Sequence, residues 1–371
     1  MPDELPLPTH HKALTYTNPG HIAIALTTVP TPRPGPGQVL VHITHSGVCS
    51  SDHGLLKGTL GFPPTLHNQV GGHEGVGTVV AIATPNPLHV TLGSRVGIKW
   101  VSSICHACAP CAAGRDALCT SVRISGYGGC PGTFQQYVLA PAEYVTPIPD
   151  GVASELAAPL LCGGVTVYAG LKKSGAVKGQ WVVVPGAGGG LGHLAVQIAR
   201  GMGLGVVGID TGEKEEFVRS LGVEAFFDIR KYARDRAGSE QLARDVRAAT
   251  PGGTGAASVI VCAGNNAAYA QAISFLGFAG SVVCIGIPEG EPVPILGASP
   301  GAMIAQELRI VGSAVGNRQD AIETLDLAAK GVIKTHVTVE PMAKLADVFE
   351  RMERMELQGR VVIDMSRDEC M

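Results

Sequence analysis

The chain has 371 residues, 45% of them apolar, 16% charged and 50 of them glycine, with a formal net charge of -3. That length exceeds one ordinary core of about 100 to 200 residues, so two domains are expected, and so apolar a composition excludes disorder. The small net charge excludes the basic field that a nucleic-acid backbone requires, so no nucleic-acid partner is expected.

The opening segment, MPDELPLPTHHKAL, has neither the apolar core of a secretory signal nor the Arg-rich amphipathic character of a transit peptide, which predicts a cytoplasmic location. Short apolar runs follow at 39 to 49 (VLVHITHSGVC), 75 to 83 (GVGTVVAIA) and 94 to 101 (SRVGIKWV). Pro and Gly break them up, as in a compact, antiparallel-leaning β-rich domain. This region holds Cys49 in SGVCSSDHG and His73 in GGHEGVG, and Cys162 follows in APLLCGGVTVY. Each alone also reads as a buried core residue. Together, two cysteines and one histidine make the three-ligand set of an open catalytic zinc, and the neighbouring Asp52 and Glu74 are carboxylates suited to orienting a ligand imidazole.

Between these residues lies C-x2-C-x2-C-x7-C, formed by Cys105, Cys108, Cys111 and Cys119. Four thiolates so close in sequence let one loop wrap a tetrahedral zinc and leave no open coordination position, so a structural role is expected. An iron-sulfur cluster also takes four cysteines, although its usual bacterial run, C-x2-C-x2-C-x3-C-P, differs. His106 is read as a bystander. With no export signal, ten cysteines point to metal or thiol chemistry before disulfides.

From about 166 the pattern changes. Apolar runs at 181 to 186, 205 to 210, 225 to 229, 258 to 264 and 281 to 287 alternate with helical stretches, which predicts a parallel, doubly wound sheet. Residues 182 to 209 are apolar enough to suggest a membrane span, but Pro185 and five glycines between 186 and 192 divide them into strand, turn, helix and strand. The turn AGGGLG aims backbone N–H groups and a helix N-terminus at a dinucleotide pyrophosphate. Asp210, ending the next strand, suits the adenosine ribose hydroxyls and disfavours the extra phosphate of NADP. Helices are expected over 320 to 330 and 341 to 358, the latter followed by the strand RVVID. Cys130, Cys262, Cys284 and Cys370 carry no assignment beyond packing for Cys262 and Cys284.

The motifs SGVCSSD, VGGHEGVG, GIKW, the four-cysteine lobe, SGYGGCPGTFQQY, PLLCGGVTVY, GGLGHLAVQIA, VGID and GSAVGNR occur in one order over nearly the whole chain. In this the sequence resembles the medium-chain zinc alcohol dehydrogenases, especially the yeast-type (fungal) enzymes. The resemblance implies an α/β protein with a GroES-like catalytic domain, 1–163 and 312–371, carrying the lobe at 105–119, and a Rossmann NAD-binding domain, 164–311. It implies two zinc ions per chain, one catalytic on Cys49, His73 and Cys162, and one structural on Cys105, Cys108, Cys111 and Cys119. Asp52 then supports the ligand histidine, and Glu74 is a transient ligand.

For NAD(H), the resemblance implies Thr166 and Leu191 at the nicotinamide, the fingerprint Ala187, Gly188, Gly189, Gly190, Leu191 and Gly192, Asp210 and Lys214 at the ribose, and Arg360 at the pyrophosphate. Ser51 is the first proton relay by position. The family's relay histidine falls at 54, which is Gly here, so His53 is the candidate replacement. Trp100 is expected to wall the substrate pocket, and Leu56 stands where a second Trp is common. That substitution predicts alcohols or aldehydes larger than ethanol. A homodimer or homotetramer acting on a small molecule, without a membrane, is implied. The rival readings are a zinc-free quinone or enone reductase of the same superfamily and a non-enzymatic cofactor-binding protein.

Overall fold

The computed structural model describes residues 7–87, 89–288 and 293–368, so Cys370 lies outside the described residues. The chain divides into two compact units, one of Met1–Val165, Gly316–Gly331 and Thr335–Met371, the other of Thr166–Val315 and Val332–Lys334.

The first unit is β-rich and almost wholly antiparallel. Its main sheet is built on the strand Gln38–Val48, where Val39, Val41, Ile43 and Val48 are buried. Gly75–Ile82 pairs along one edge of this strand, and Tyr137–Pro141 and Arg360–Asp364 share the other. Glycine allows the close approach in two places. A Cβ on Gly77 would overlap the His42 carbonyl, and one on Gly47 would overlap the Glu74 carboxylate. The run expected as one strand at 94 to 101 is two, Arg95–Ile98 and Val101–Ser103, and Lys99 and Trp100 occupy the break.

Beneath the sheet, Leu14, Tyr16, Leu56, Phe134 and Phe349 join the strand residues in one core. Helix Ser50–Lys57 begins at Cys49, whose extended backbone ends the strand, and the Asp52 carboxylate accepts the Cys49 N–H at 3.0 Å. The helix expected at 341 to 358 is shorter. Pro341 ends the strand Val337–Pro341, a 3-10 turn covers Met342–Lys344, and the α-helix runs only over Leu345–Glu353. Met355 adopts a left-handed backbone (φ 56°), which an α-helix cannot continue through.

The second unit is a six-stranded parallel sheet. Its strands lie in the order Ala225–Asp228, Gly205–Asp210, Trp181–Pro185, Ala256–Val261, Leu276–Cys284, Arg309–Gly312. Chain order reverses at Trp181–Pro185, as in a doubly wound fold, and the crevice at that switch point is where such sheets bind nucleotides. Val183, Val207, Val259, Leu242 and Phe275 are buried in its core. The suspected membrane span resolves into Trp181–Pro185, helix Gly192–Gly201 and Gly205–Asp210. Among the described residues no single helix is long and apolar enough to cross a membrane.

Candidate metal centres and cofactor site

Among the described residues, two groups of side chains bring metal-ligating atoms within 4.8 Å of one another, and they are the two sets expected from the sequence. In the buried group, Cys49 ends a sheet strand, His73 follows Gly71 and Gly72, and Cys162 sits between the 3-10 turn Ala158–Leu161 and helix Gly163–Ser174. The two sulfurs are 4.0 Å apart, and His73 Nε2 is 3.3 Å from the Cys162 sulfur. Zinc bonds of ~2.3 Å to sulfur and ~2.0 to 2.1 Å to nitrogen give tetrahedral edges of about 3.5 to 3.8 Å, so these donors fit one ion with shifts of a few tenths of an ångström.

Asp52 organises this set from behind. Its Oδ1 is 2.7 Å from His73 Nδ1, while Oδ2 accepts the Cys49 N–H. A carboxylate only accepts, so Nδ1 carries the imidazole proton and the Nε2 lone pair faces the sulfurs. Trp100 stands edge-on to the His73 ring at 4.9 Å. Glu74 is fully buried, its Oε1 4.0 Å from His73 Nε2 and paired with Arg360 Nη2, while its Oε2 has no hydrogen-bond partner. Burial pushes the Glu74 carboxyl up to about 7 against the pull of Arg360. An orphaned carboxylate oxygen beside two thiols and an imidazole is the donor chemistry a divalent cation completes.

Three of the expected residues sit in surroundings that the sequence did not show. Arg360, expected at the pyrophosphate, is buried with Nη1 4.0 Å from the Cys49 sulfur and its charge matched to Glu74, because an enclosed carboxylate needs a countercharge. Leu56, expected in the substrate pocket, has no exposed surface and belongs to the core under the sheet, since its face of helix Ser50–Lys57 points inward. His53 turns its Nε2 to Glu353 Oε1 at 3.0 Å, an oxygen that Lys57 also approaches at 3.1 Å, and sets its ring edge-on to Phe349. Both partners lie on helix Leu345–Glu353. Ser51 is half-buried in the first turn after Cys49.

In the second group, Cys119 and Cys105 approach to 3.5 Å, Cys108 and Cys111 to 3.4 Å, and Cys105 and Cys111 to 4.0 Å. The Cys119 sulfur also accepts the N–H groups of Cys105 and Ser121, both at 3.3 Å, which stabilise a thiolate. His106 faces Glu143 at 3.3 Å and takes no part in the group.

A polar knot that sequence reasoning missed backs this lobe. Asp116 Oδ2 accepts from the Tyr144 hydroxyl at 2.7 Å and from the Arg318 N–H at 3.3 Å, and the buried Lys99 ammonium lies 3.3 Å over the centre of the Tyr144 ring. Burial holds the Lys99 amine well below its ordinary range, with Asp116 opposing. Next to Lys99, Ser125 donates its hydroxyl to the Lys99 carbonyl at 2.8 Å and its N–H to the Trp100 carbonyl at 3.0 Å. The only sequence signal was a lysine inside the apolar run GIKWV, since its partners lie 17 to 219 residues away.

In the second unit, the turn after Trp181–Pro185 packs tightly: Gly189 donates to the Gly186 carbonyl at 3.0 Å, and a Cβ on Gly192 would overlap that same carbonyl. Ala187 and Gly188 are buried, and Gly189, Gly190 and Leu191 are partly exposed where the turn enters helix Gly192–Gly201. Asp210 accepts the Gly188 N–H on Oδ2 and the Thr211 N–H on Oδ1, both at 2.8 Å, with Lys214 Nζ at 3.7 Å from Oδ1. Thr166 is buried in the first turn of Gly163–Ser174.

Comparison with known proteins agrees with this geometry. Residues 35–150 match the alcohol dehydrogenase GroES-like domain, and residues 190–330 match the zinc-binding dehydrogenase domain. The chain is 53% identical over 365 residues to alcohol dehydrogenase 2 of Emericella nidulans, covering 97% of this chain and 99% of that one. The chain belongs to the medium-chain zinc-dependent alcohol dehydrogenases. It is also 39% identical to an alcohol dehydrogenase of Schizosaccharomyces pombe, over 96% of this chain and 97% of that one. Among solved structures it resembles acetophenone reductase from Geotrichum candidum in complex with NAD, at a TM-score of 0.82 and 29% identity over 97% and 98% of the two chains. The dehydrogenase interconverts an alcohol and its aldehyde or ketone by hydride transfer with NAD(H). The zinc-free reductase reading falls away, since both metal-ligating sets are present and assembled.

Proposed function

We propose that this dehydrogenase acts on alcohols larger than ethanol and their carbonyl partners, with Ser51 taking the substrate's hydroxyl proton and Asp210 holding the adenosine ribose of NAD. The reading is carried by the Cys49, His73 and Cys162 donor set, gathered around one point with Glu74 beside it. Zinc held there supplies a Lewis acid that brings an alcohol hydroxyl within reach of a base at neutral pH. Asp52 keeps the His73 lone pair aimed at that point, and Trp100 walls it on one side.

Ser51 suits the relay because its hydroxyl both accepts and donates, one residue before Asp52. A Cβ on Gly54 would come within 2.6 Å of Leu60 Cγ, so Leu60 fills the room a larger residue at 54 would need. With position 54 empty of acid-base chemistry and His53 engaged by Glu353, His53→Gln is expected to leave the pH dependence of kcat/KM unshifted. Ser51→Ala is expected to lower kcat by about 10²-fold or more. A pH profile displaced by His53→Gln would return the relay to that residue.

Larger substrates no longer find support in Leu56. They find it in the likeness to a reductase named for acetophenone, an aryl ketone. Steady-state kinetics are expected to give benzyl alcohol and 1-phenylethanol a higher kcat/KM than ethanol, and the reverse order ends this reading.

A second copy of the chain is the proposed partner. Arg309–Gly312 is an edge strand of the parallel sheet, and exposed Ile310, Ile304, Leu296 and Phe278 lie on it or in the neighbouring segments. Edges of this kind pair readily with another copy. Sedimentation of the native enzyme is expected to give at least a dimer, and a single-chain mass would overturn the pairing. A cytoplasmic setting is supported by cysteine use, as none of the nine described cysteines is in a disulfide.

A further inference from the structure

Asp210 has a counterpart on the neighbouring strand. Gly205–Asp210 and Ala225–Asp228 run parallel, and their last residues, Asp210 and Asp228, lie opposite each other in register. The Asp228 carboxylate is held at one oxygen and lies close to the turn with the other. Oδ1 accepts the Arg230 N–H at 3.0 Å, and Oδ2 lies 2.6 Å from the point a Cβ on Gly212 would occupy. A negative charge is therefore pressed against the backbone of the turn that begins directly after Asp210. Arg230, the cation carried closest to Asp228 by sequence and hydrogen bonding, is paired through Nη1 with Glu213 in that same turn. Lys214, at the end of the turn, lies 3.7 Å from Asp210.

An NADP enzyme sets a cation where the strand-end acid of an NAD enzyme meets the ribose. Here the turn that would receive a 2′-phosphate is bracketed by Asp210 in front and Asp228 behind, and its two nearest cations are each paired with a carboxylate. We infer that Asp228, held against Gly212, is a second residue that discriminates NAD from NADP, acting by repulsion of the 2′-phosphate from behind the turn. This rests on the reading of Asp210 as the ribose ligand. It separates two charges that a single substitution at 210 would leave confounded: removing Asp210 still leaves a fixed carboxylate across the turn.

The test is a double-mutant cycle on the holoenzyme with Asp210→Gly, Asp228→Asn and the double variant. The readout is the ratio of kcat/KM for NAD to that for NADP, with NADPH affinity from fluorescence titration and at two salt concentrations. Asparagine keeps the Oδ1 acceptor for Arg230, and Asp228→Ser serves as a second variant should the amide disturb the turn. Asp228→Asn is expected to lower the discrimination ratio about tenfold in low salt, as a unit charge several ångströms from a dianion does in a partly hydrated site, and less in high salt. The double variant is expected to fall below Asp210→Gly by a similar factor. A ratio unmoved by both Asp228 variants, in the native and the Asp210→Gly backgrounds, overturns the inference. If Asp228→Asn lowers the ratio while Asp210→Gly does not, Asp228 stands as the discriminator and the assignment of Asp210 falls instead.

Discussion

Cys162→Ala is expected to cost one of the two zinc ions per chain and to lower kcat/KM about 10³-fold or more, with the fold kept. The sulfur is 4.0 Å from Cys49 and 3.3 Å from His73 Nε2, so its removal leaves two donors where an open zinc site needs three. Lewis-acid stabilisation is worth several kcal/mol, and every 1.36 kcal/mol is about tenfold in rate. Alanine at 162 is expected to leave the turn Ala158–Leu161 and the following helix intact, since the Cys162 sulfur meets the Cys49 sulfur and the His73 ring. Asp52→Asn makes the informative comparison. All three ligands stay, but the anion that fixes the His73 proton is gone, and such partners are worth about 10- to 100-fold in metal affinity or activity. Metal analysis after dialysis, read beside kcat/KM, separates the two. Full activity of Cys162→Ala with one zinc per chain would refute the assignment of the catalytic centre.

Cys119→Ser is expected to act on stability instead, lowering Tm by about 10 °C or more while the catalytic zinc stays bound. Structural zinc contributes about 10 to 16 kcal/mol in isolated fingers, as much as a whole domain's margin of about 5 to 15 kcal/mol. The lobe has little else inside it: its short helix, Ala109–Ala112, has no buried residues, and Leu118 is 56% exposed. Cys119 is the buried member, and its sulfur also terminates the N–H groups of Cys105 and Ser121. Losing it unties the lobe and removes support from Asp116, which holds Tyr144 and Arg318. Calorimetry and zinc stoichiometry check this together. A Tm within about 2 °C of the native value would mean that the lobe is held by something other than its metal.

What the sequence revealed and what it hid divide along the range of the interactions. Cys105 to Cys119 were legible because a single loop contains the whole ligand set. Cys49, His73 and Cys162 became legible only as a combination in familiar order. The parallel sheet was legible because its inner strands are apolar runs buried on both faces, whereas the short, exposed edge strand Arg309–Gly312 gave no such signal. Leu56 was misplaced because motif spacing fixes a residue's place along helix Ser50–Lys57 but not which way it faces, and the core claimed it. The burial of Arg360 against Glu74 was not legible because that countercharge lies 286 residues earlier. The Lys99, Tyr144 and Asp116 knot went unseen for the same reason. The helix beginning at 341 was drawn too long because its apolar period continues past the point where Met355 turns left-handed.

The last strand, Arg360–Asp364, pairs with the end of Gln38–Val48, setting Val361 opposite Val48 beside the first zinc ligand. By the time a ribosome has added residue 359, it has already made every ligand of both metal groups. The four-cysteine lobe, local and complete, is then able to take its ion. The catalytic set at that moment lacks both the strand that flanks Cys49 and the guanidinium that offsets Glu74, and an enclosed unpaired carboxylate costs several kcal/mol. The two metal groups thus differ in what they ask of the chain: one loop closes the four-cysteine lobe, whereas the catalytic set reaches its charge balance only through a strand that lies almost two hundred residues beyond its last ligand.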